Sequence, residues 1–280
     1  MLGSGAAQRG RVLIIAGSDS GGGAGIQADI KTVTALSGYA MTAVTAITVQ
    51  DTLGVHGIHE IPVDIVRAQI RVVLDDIGAD AVKTGMLHSV EIIEAAAEEI
   101  SARAPDAALV VDPVMIAKGG ASLLQGDAVA AMKRALIPLA TLVTPNAPEA
   151  EALTGRKIVD LDSQKAAADA LLGLGCEAVL VKGGHIAGAT IFDVLATHET
   201  LEVMSSPRLE TPHTHGTGCT LASAIAAFLA QGAELRDAVE AARDYVHEAI
   251  RTAPGFGKGH GPLNHGHTVR RDMEDDEDED

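Results

Sequence analysis

The stretch RVLIIAGSDSGGGAGIQADIKTVTALSG, residues 11–38, decides the fold. It opens with a short apolar run, Val12 to Ala16, bounded by Gly and Ser. A continuous apolar run of that length reads as a strand buried on both faces. A glycine-rich turn follows. Then Ile26, Ile30 and Val33 recur at helical spacing until Gly38, where a helix ends. Strand, glycine turn and helix make the first half of a βαβ unit.

The same alternation runs outward along the chain. Strands are expected at Ala40–Val49 and from Ala81, Ala108, Thr141 and Ala178. Helices are expected from Pro62 to Gly78 and at Ser89–Arg103, Gly126–Ile137 and Ser163–Leu174. A hairpin-like region covers Thr190 to Val203, and two helices, Gly218–Gln231 and Glu234–Thr252, close the body. This predicts an α/β fold: a single doubly wound, mostly parallel sheet flanked by helices. A flexible leader is expected at 1–10, one folded domain at 11–265 and a disordered acidic tail at 266–280. Ligands in such sheets bind beyond the carboxyl ends of the strands.

Composition narrows the function. Asp+Glu 38 against Lys+Arg 21 gives −17, and eight of those acids lie in Asp272–Asp280, which leaves −9 on the body. No nucleic-acid partner is expected, because phosphate affinity needs clustered cations. Only 8 of the 21 cations are Lys, and abundant acids with scarce Lys suggest adaptation to high salt. Cys176 and Cys219 show no CxxC spacing, so neither a disulfide framework nor a zinc site is indicated. The apolar run after Arg9 and Arg11 is too short for a signal peptide. No stretch approaches the roughly 18–20 apolar residues of a membrane span. A cytoplasmic protein with no membrane partner is expected.

Five features carry chemistry. Gly17-Ser-Asp-Ser-Gly-Gly-Gly-Ala-Gly25 has neither the G-x-G-x-x-G spacing nor a Walker sequence. It reads as a loop whose backbone can approach a ligand, with Ser18 and Asp19 as its polar groups, or as a tight structural turn. His215-Gly-Thr-Gly-Cys219 precedes the apolar run from Leu221. Free N–H groups at a helix start form an anion hole there, and the helix dipole favours a Cys219 thiolate. The alternative is a buried, inert cysteine.

In Thr144-Pro-Asn-Ala-Pro-Glu149, Asn146 and Glu149 can hold a hydrated Mg²⁺ on one face. Taken alone, the pair reads better as a helix cap. Lys182 at a strand end can meet a phosphate. Gln50 at another offers a donor beside an acceptor, which matches the edge of an aminopyrimidine. Both positions also suit plain solvent-facing residues.

Seven stretches, taken in order, point further: AGSDSGGGAGIQAD (16–29), TAITVQDTLGV (45–55), KTGML (83–87), DPVMIAKGGASLL (112–124), TPNAPEAEAL (144–153), VLVKGGH (179–185) and HGTGCTLASAIA (215–226). Together they resemble the hydroxymethylpyrimidine and phosphomethylpyrimidine kinases of thiamine biosynthesis, in the ribokinase superfamily. The resemblance runs from about residue 11 to GHGPLNH at 259–265. It implies a ribokinase-like domain using ATP and Mg²⁺ on the hydroxymethyl group of 4-amino-5-hydroxymethyl-2-methylpyrimidine, then on the monophosphate.

The resemblance also implies site residues. Gln50 contacts the pyrimidine, Met86, Gly17 and Val114 line its pocket, and Asp29 lies nearby. Asn146 and Glu149 match an N-x-x-E metal motif, with Asp112 and Lys182 beside them at ATP and Mg²⁺. Gly216, Thr217 and Gly218 match the anion hole. Lys182 approaches the transferred phosphate, and Cys219 stands where most of the superfamily has an Asp base. Ala117–Ala121 looks like a mobile flap. A homodimer is implied. Some archaeal relatives carry a fused thiamine-phosphate synthase domain, and none is expected in a chain of this length. Two rivals remain: a pyridoxal kinase of the same superfamily, where some members carry a second Cys at 218–219, and a non-catalytic pyrimidine-binding sensor.

Overall fold

The structure is a computed structural model that describes residues 10–115 and 127–269. The expected flap at Ala117–Ala121, the acidic run Asp272–Asp280 and residues 1–9 of the expected leader lie outside the described residues.

Among the described residues nine strands form one sheet: β1 (Arg11–Asp19), β2 (Tyr39–Gln50), β3 (Val55–Glu60), β4 (Ala81–Thr84), β5 (Ala108–Val111), β6 (Leu142–Val143), β7 (Ala178–Val181), β8 (Thr190–Thr197) and β9 (Leu201–Pro207). Their order is β3-β2-β1-β4-β5-β6-β7-β8-β9. The six strands from β2 to β7 in that order are mutually parallel. Antiparallel β3 closes one side, and antiparallel β8 and β9 close the other. The sheet is therefore mostly parallel, single and open, as the alternation predicts.

Helices cover both faces: α1 (Gly25–Ala35), α2 (Val63–Asp76), α3 (Val90–Arg103), α4 (Ala128–Ala131), α5 (Ala147–Thr154), α6 (Leu161–Leu172), α7 (Thr217–Ala230) and α8 (Leu235–Arg251). The strand period of two divides β1 between two cores. Leu13 and Ile15 pack with Ile70 of α2, Ile93 of α3 and Leu171 of α6. Val12 and Ile14 pack with Ile225 of α7 and Val239 of α8 on the opposite face. α7 is rich in Ala and buried from Thr220 to Ala227. Its small side chains let it lie close on the sheet centre, which brings its N-terminus to the carboxyl ends of the strands.

Three sequence expectations shift. β3 was not foreseen; it pairs Ala46–Gln50 of β2 with residues 55–60. The helix expected at Gly126–Ile137 becomes α4, then a π turn at Met132–Leu136 and a 3₁₀ turn at Ile137–Leu139. Pro138 explains the distortion: it has no N–H for the α-helical ladder and crowds the turn before it. α6 begins at Leu161 rather than Ser163, because Asp160 and Ser163 form a reciprocal cap.

Candidate active site

Each parallel strand delivers a polar or pocket-lining residue at or just past its carboxyl end: Asp19 from β1, Gln50 from β2, Met86 past β4, Asp112 after β5, Asn146 past β6 and Lys182 after β7. They converge on a cavity of about 560 Å³. β1 sends one connection left to β2, while the chain returns to β4 on its right, so the cavity stands at the sheet's switch point.

Two glycine segments make its rim. Gly216 caps α7 at φ +83, and a Cβ there would lie 1.8 Å from the Gly23 carbonyl oxygen. Only glycine allows that conformation and that approach. The Gly218 and Cys219 N–H groups, in the first turn of α7, have no hydrogen-bond acceptor among the described residues. They point donors at the positive helix end into the cavity rim. Asp19 fastens the other segment. Its carboxylate accepts N–H bonds from Gly21, Gly23 and Ala24 at 2.8, 3.1 and 2.8 Å, and lies 2.9 Å from His215 Nε2. Burial pushes the Asp19 carboxyl up, but the bonds from His215 and from the Ala24 and Gly21 N–H groups outweigh it and hold it below the usual range.

Lys182 Nζ lies 3.0 Å from Asp112 Oδ1 and close to the backbone of Gly218. Burial opposes its charge, yet Asp112 and Glu149 outweigh burial and raise its pKa. Asn146 and Glu149 form the reciprocal cap of α5: Asn146 N–H to Glu149 Oε2 at 2.8 Å and Glu149 N–H to Asn146 Oδ1 at 2.9 Å. The cap and the ligand reading coincide, because both residues also line the cavity. Burial, with Asp112 adding, pushes Glu149 up to about 7 against the pull of Lys182.

Gly17, Met86 and Val114 line the cavity with Gln50. Met86 sits in a small apolar cluster with Ala46, and Val114 packs against it. Thr217, Gly216, Gly218 and Cys219 line it from the α7 side. Every expected site residue except one therefore meets here.

The exception is Asp29, expected beside the substrate. It is fully buried, with Lys83 Nζ 2.9 Å from both its oxygens and Ser223 Oγ at 2.7 Å, and it does not line the cavity. Lys83 takes its place at the cavity wall. Burial opposes the Lys83 charge, but Asp29 outweighs it and raises its pKa.

Cys219 needs a correction too. A helix start predicts a lowered thiol pKa, whereas burial, with the Asp29 and Asp112 carboxylates adding, pushes it up to about 12 despite Lys83 and the Gly25 N–H.

The sequence motifs mark Asp19 only as a loop polar group and mark no role for Lys83 or His215. A lysine inside the apolar run Ala81–Thr84 is the signal that Lys83 has a buried anion. A second cavity of about 690 Å³, which no motif marks, shares Lys182, His185, Thr214 and Thr217 with the first and extends toward Arg208 and α8. The two chambers meet at Lys182 and the first turn of α7.

A parallel sheet whose strand ends face the free N–H groups of a helix start, with a lysine between two chambers, has the architecture of a ribokinase-like kinase. The pyridoxal kinase of Bacillus subtilis, solved with ADP, superposes with a TM-score of 0.85 at 40% identity, covering 92% of this chain and 97% of that one. The chain belongs to the phosphomethylpyrimidine kinase family, whose model matches residues 19–264. It is 49% identical to the hydroxymethylpyrimidine/phosphomethylpyrimidine kinase of Bacillus subtilis, over 91% of this chain and 94% of that protein. It is 52% identical to the thiamine biosynthesis bifunctional protein ThiED of Geobacter sulfurreducens over 92% of its own length, and spans 52% of that longer relative.

Proposed function

We propose that this chain transfers a phosphoryl group from ATP to the hydroxymethyl oxygen of 4-amino-5-hydroxymethyl-2-methylpyrimidine, and then phosphorylates the monophosphate to the diphosphate, in thiamine biosynthesis. The observation that carries this is the junction of the two chambers at Lys182 and α7. The chamber holding Gln50 and Met86 takes the pyrimidine, and the one reaching α8 takes the nucleotide. The Gly218 and Cys219 N–H groups, with Lys182, meet the charge on the transferring phosphoryl group, which is most of the work in a loose transition state.

The donor set suits Mg²⁺. Glu149 and Asp112 would offer hard oxygen donors; both are buried, and Lys182, only partly exposed, is their near cation. Asn146 and Glu149 would hold the hydrated ion through water, and the ion would neutralise charge on the nucleotide phosphates. Lys182 holds its proton throughout and orients the phosphoryl oxygens.

The resemblance to solved pyridoxal kinases supports a second reading, phosphorylation of pyridoxal at a similar hydroxymethyl group. Residues 218–219 read Gly-Cys here, without a second Cys. Steady-state ADP production with each compound decides. A kcat/KM at least tenfold higher on the pyrimidine is expected; a higher value on pyridoxal overturns the main reading, and no turnover on either supports a sensor. The chain is further read as a cytoplasmic homodimer, testable by sedimentation. No helix among the described residues is long and apolar enough to cross a membrane. The acidic body is read as a salt adaptation, with a Tm that rises into molar KCl.

A further inference from the structure

His215 Nε2 lies 2.9 Å from Asp19 Oδ2 and 3.2 Å from Gln50 Nε2. The Asp19 carboxylate accepts only, so the hydrogen between it and His215 belongs to Nε2. At the other side of the amide, Thr48 Oγ1 lies 3.1 Å from Gln50 Oε1 and 2.8 Å from the Ser18 carbonyl oxygen. Both oxygens are acceptors for one hydroxyl hydrogen, and only the amide can turn over, so the Thr48 hydrogen goes to the nearer, fixed Ser18 carbonyl and a lone pair faces Gln50.

Nε2 then carries one hydrogen and no lone pair, so His215 turns toward Gln50 a hydrogen-bearing nitrogen, its hydrogen shared with Asp19, and Thr48 turns toward it a lone pair. An amide nitrogen against His215 sets donor against donor; the amide turned over, oxygen to His215 and nitrogen to Thr48, satisfies both ends. We propose that Asp19 and His215 form a positioning pair that fixes which way round the Gln50 amide faces the cavity, and so which ring edge the cavity accepts. This rests on the reading of Gln50 as the residue that meets the pyrimidine.

The chemistry of selection follows. An amide has two N–H hydrogens and two oxygen lone pairs. Thr48 and His215 occupy one of each, which leaves one N–H and one lone pair in a fixed order for a ligand. A 4-aminopyrimidine presents a ring-nitrogen acceptor beside an amino donor. Its 4-oxo analogue presents a ring N–H donor beside a carbonyl acceptor, the same edge in reverse order. A fixed amide matches one and opposes the other at both positions. An amide free to turn over takes either.

The test is the ratio of kcat/KM for 4-amino- over 4-oxo-5-hydroxymethyl-2-methylpyrimidine in the full chain. The wild type is expected to discriminate by about a hundredfold or more, since the wrong edge leaves polar groups unpaired. His215→Phe, similar in size and without the N–H, should cut that ratio by about tenfold, with the change carried by KM. His215→Gln, which keeps a donor, should restore most of it. Asp19→Ala removes the oxygen that holds the His215 hydrogen, so, once circular dichroism shows it folded, it gives an independent reading if His215→Phe does not fold. A ratio held within about twofold in whichever of Asp19→Ala and the His215 variants fold overturns the positioning pair. Gln50→Ala separates the two claims. If it too keeps the wild-type ratio, the reading of Gln50 falls; if it alone loses the ratio, only the positioning pair falls.

Discussion

Lys83 Nζ lies 2.9 Å from both carboxylate oxygens of Asp29, and neither side chain is exposed at all. The pair joins β4 to α1 beneath the cavity, and Ser223 of α7 donates a third hydrogen bond to the same carboxylate. Three elements that shape the site are thus tied at one point.

Breaking that pair leaves an uncompensated buried charge. Asp29→Ala should cost about 3–5 kcal/mol of stability by chemical denaturation. Asp29→Ala with Lys83→Met should recover a large part, because the desolvated charge goes with its partner. An Asp29 variant with an unshifted denaturation midpoint and a raised pyrimidine KM would return the residue to substrate contact.

Lys182 acts on the transferring group rather than on the ring. Its ammonium sits between Asp112 and the α7 backbone at the chamber junction. Lys182→Ala should lower kcat by about 10²–10³ with a much smaller change in pyrimidine KM. The same variant leaves Asp112 and Glu149 buried without their near cation, so its fold is checked by circular dichroism first. A raised KM at constant kcat would put Lys182 in ground-state binding instead.

Gln50→Ala should raise the pyrimidine KM and leave the ATP KM nearly unchanged. Losing the amide costs roughly 1–3 kcal/mol if the ring groups stay unpaired, or about 5- to 150-fold in affinity. Ser20 clamps the backbone of Gln50, with Oγ accepting its N–H at 2.9 Å and donating to its carbonyl at 2.8 Å. The substitution therefore removes the side chain without releasing the strand end. Equal KM values for variant and wild type would reject the role.

Stability should fall as pH drops from about 6.5 toward about 4, the window set by His265. The residue is 4% exposed and its Nε2 lies 3.0 Å from Thr220 Oγ1 of α7. Burial, with Lys31 adding, holds its pKa down to about 4 from 6.5. The unfolded chain therefore takes up the proton first, and stability declines through that window, levelling off for this residue below about 4. The loss is on the order of 3 kcal/mol. Asp19, with its lowered pKa, acts in the same direction but below its unfolded value of 3.8. Tm against pH for the wild type and His265→Gln measures the effect; equal slopes between pH 6.5 and 4 would exclude His265 as its source.

The fold was legible wherever a residue's fate depends on its neighbours in sequence. β1, β4 and β7 are apolar runs because both their faces are covered, and the run at Leu221–Ala227 belongs to a helix buried on nearly every side. β3 was not legible, since Val55–Glu60 carries a glycine and exposed His56 and His59 and becomes a strand only by pairing with β2. The site divides in the same way. Gln50, Asn146, Glu149 and Lys182 stand in motifs at strand ends, so their convergence could be foreseen. The Asp29–Lys83 pair spans 54 residues, and the second chamber gathers scattered positions from β9, α8 and the loop between β9 and α7. No local pattern marks either one.

Cys219 shows the limit most sharply, because its sequence context and its surroundings point opposite ways. The first turn of a helix favours thiolate, yet burial and the Asp29 and Asp112 carboxylates push the thiol up to about 12. A thiolate of that pKa is scarce at pH 7 but strongly basic, and a loose transition state needs its proton acceptor only late. If the thiolate is the base, kcat in the wild type should rise close to tenfold per pH unit between about pH 7 and 9, following the thiolate fraction. Cys219→Asp, ionised over that range, should give a flat profile, and Cys219→Ala a low and flat one. Alkylation by iodoacetamide should be slow at pH 7, accelerate with pH, and be blocked by nucleotide plus pyrimidine. Cys176 is fully buried while Cys219 is partly exposed and lines the cavity, so labelling reports on Cys219. A flat wild-type profile, with a Ser variant turning over at near wild-type rate, would leave Cys219 as packing beside the anion hole. The hydroxyl proton would then pass to a phosphoryl oxygen, and Lys182 with the α7 N–H groups would carry catalysis.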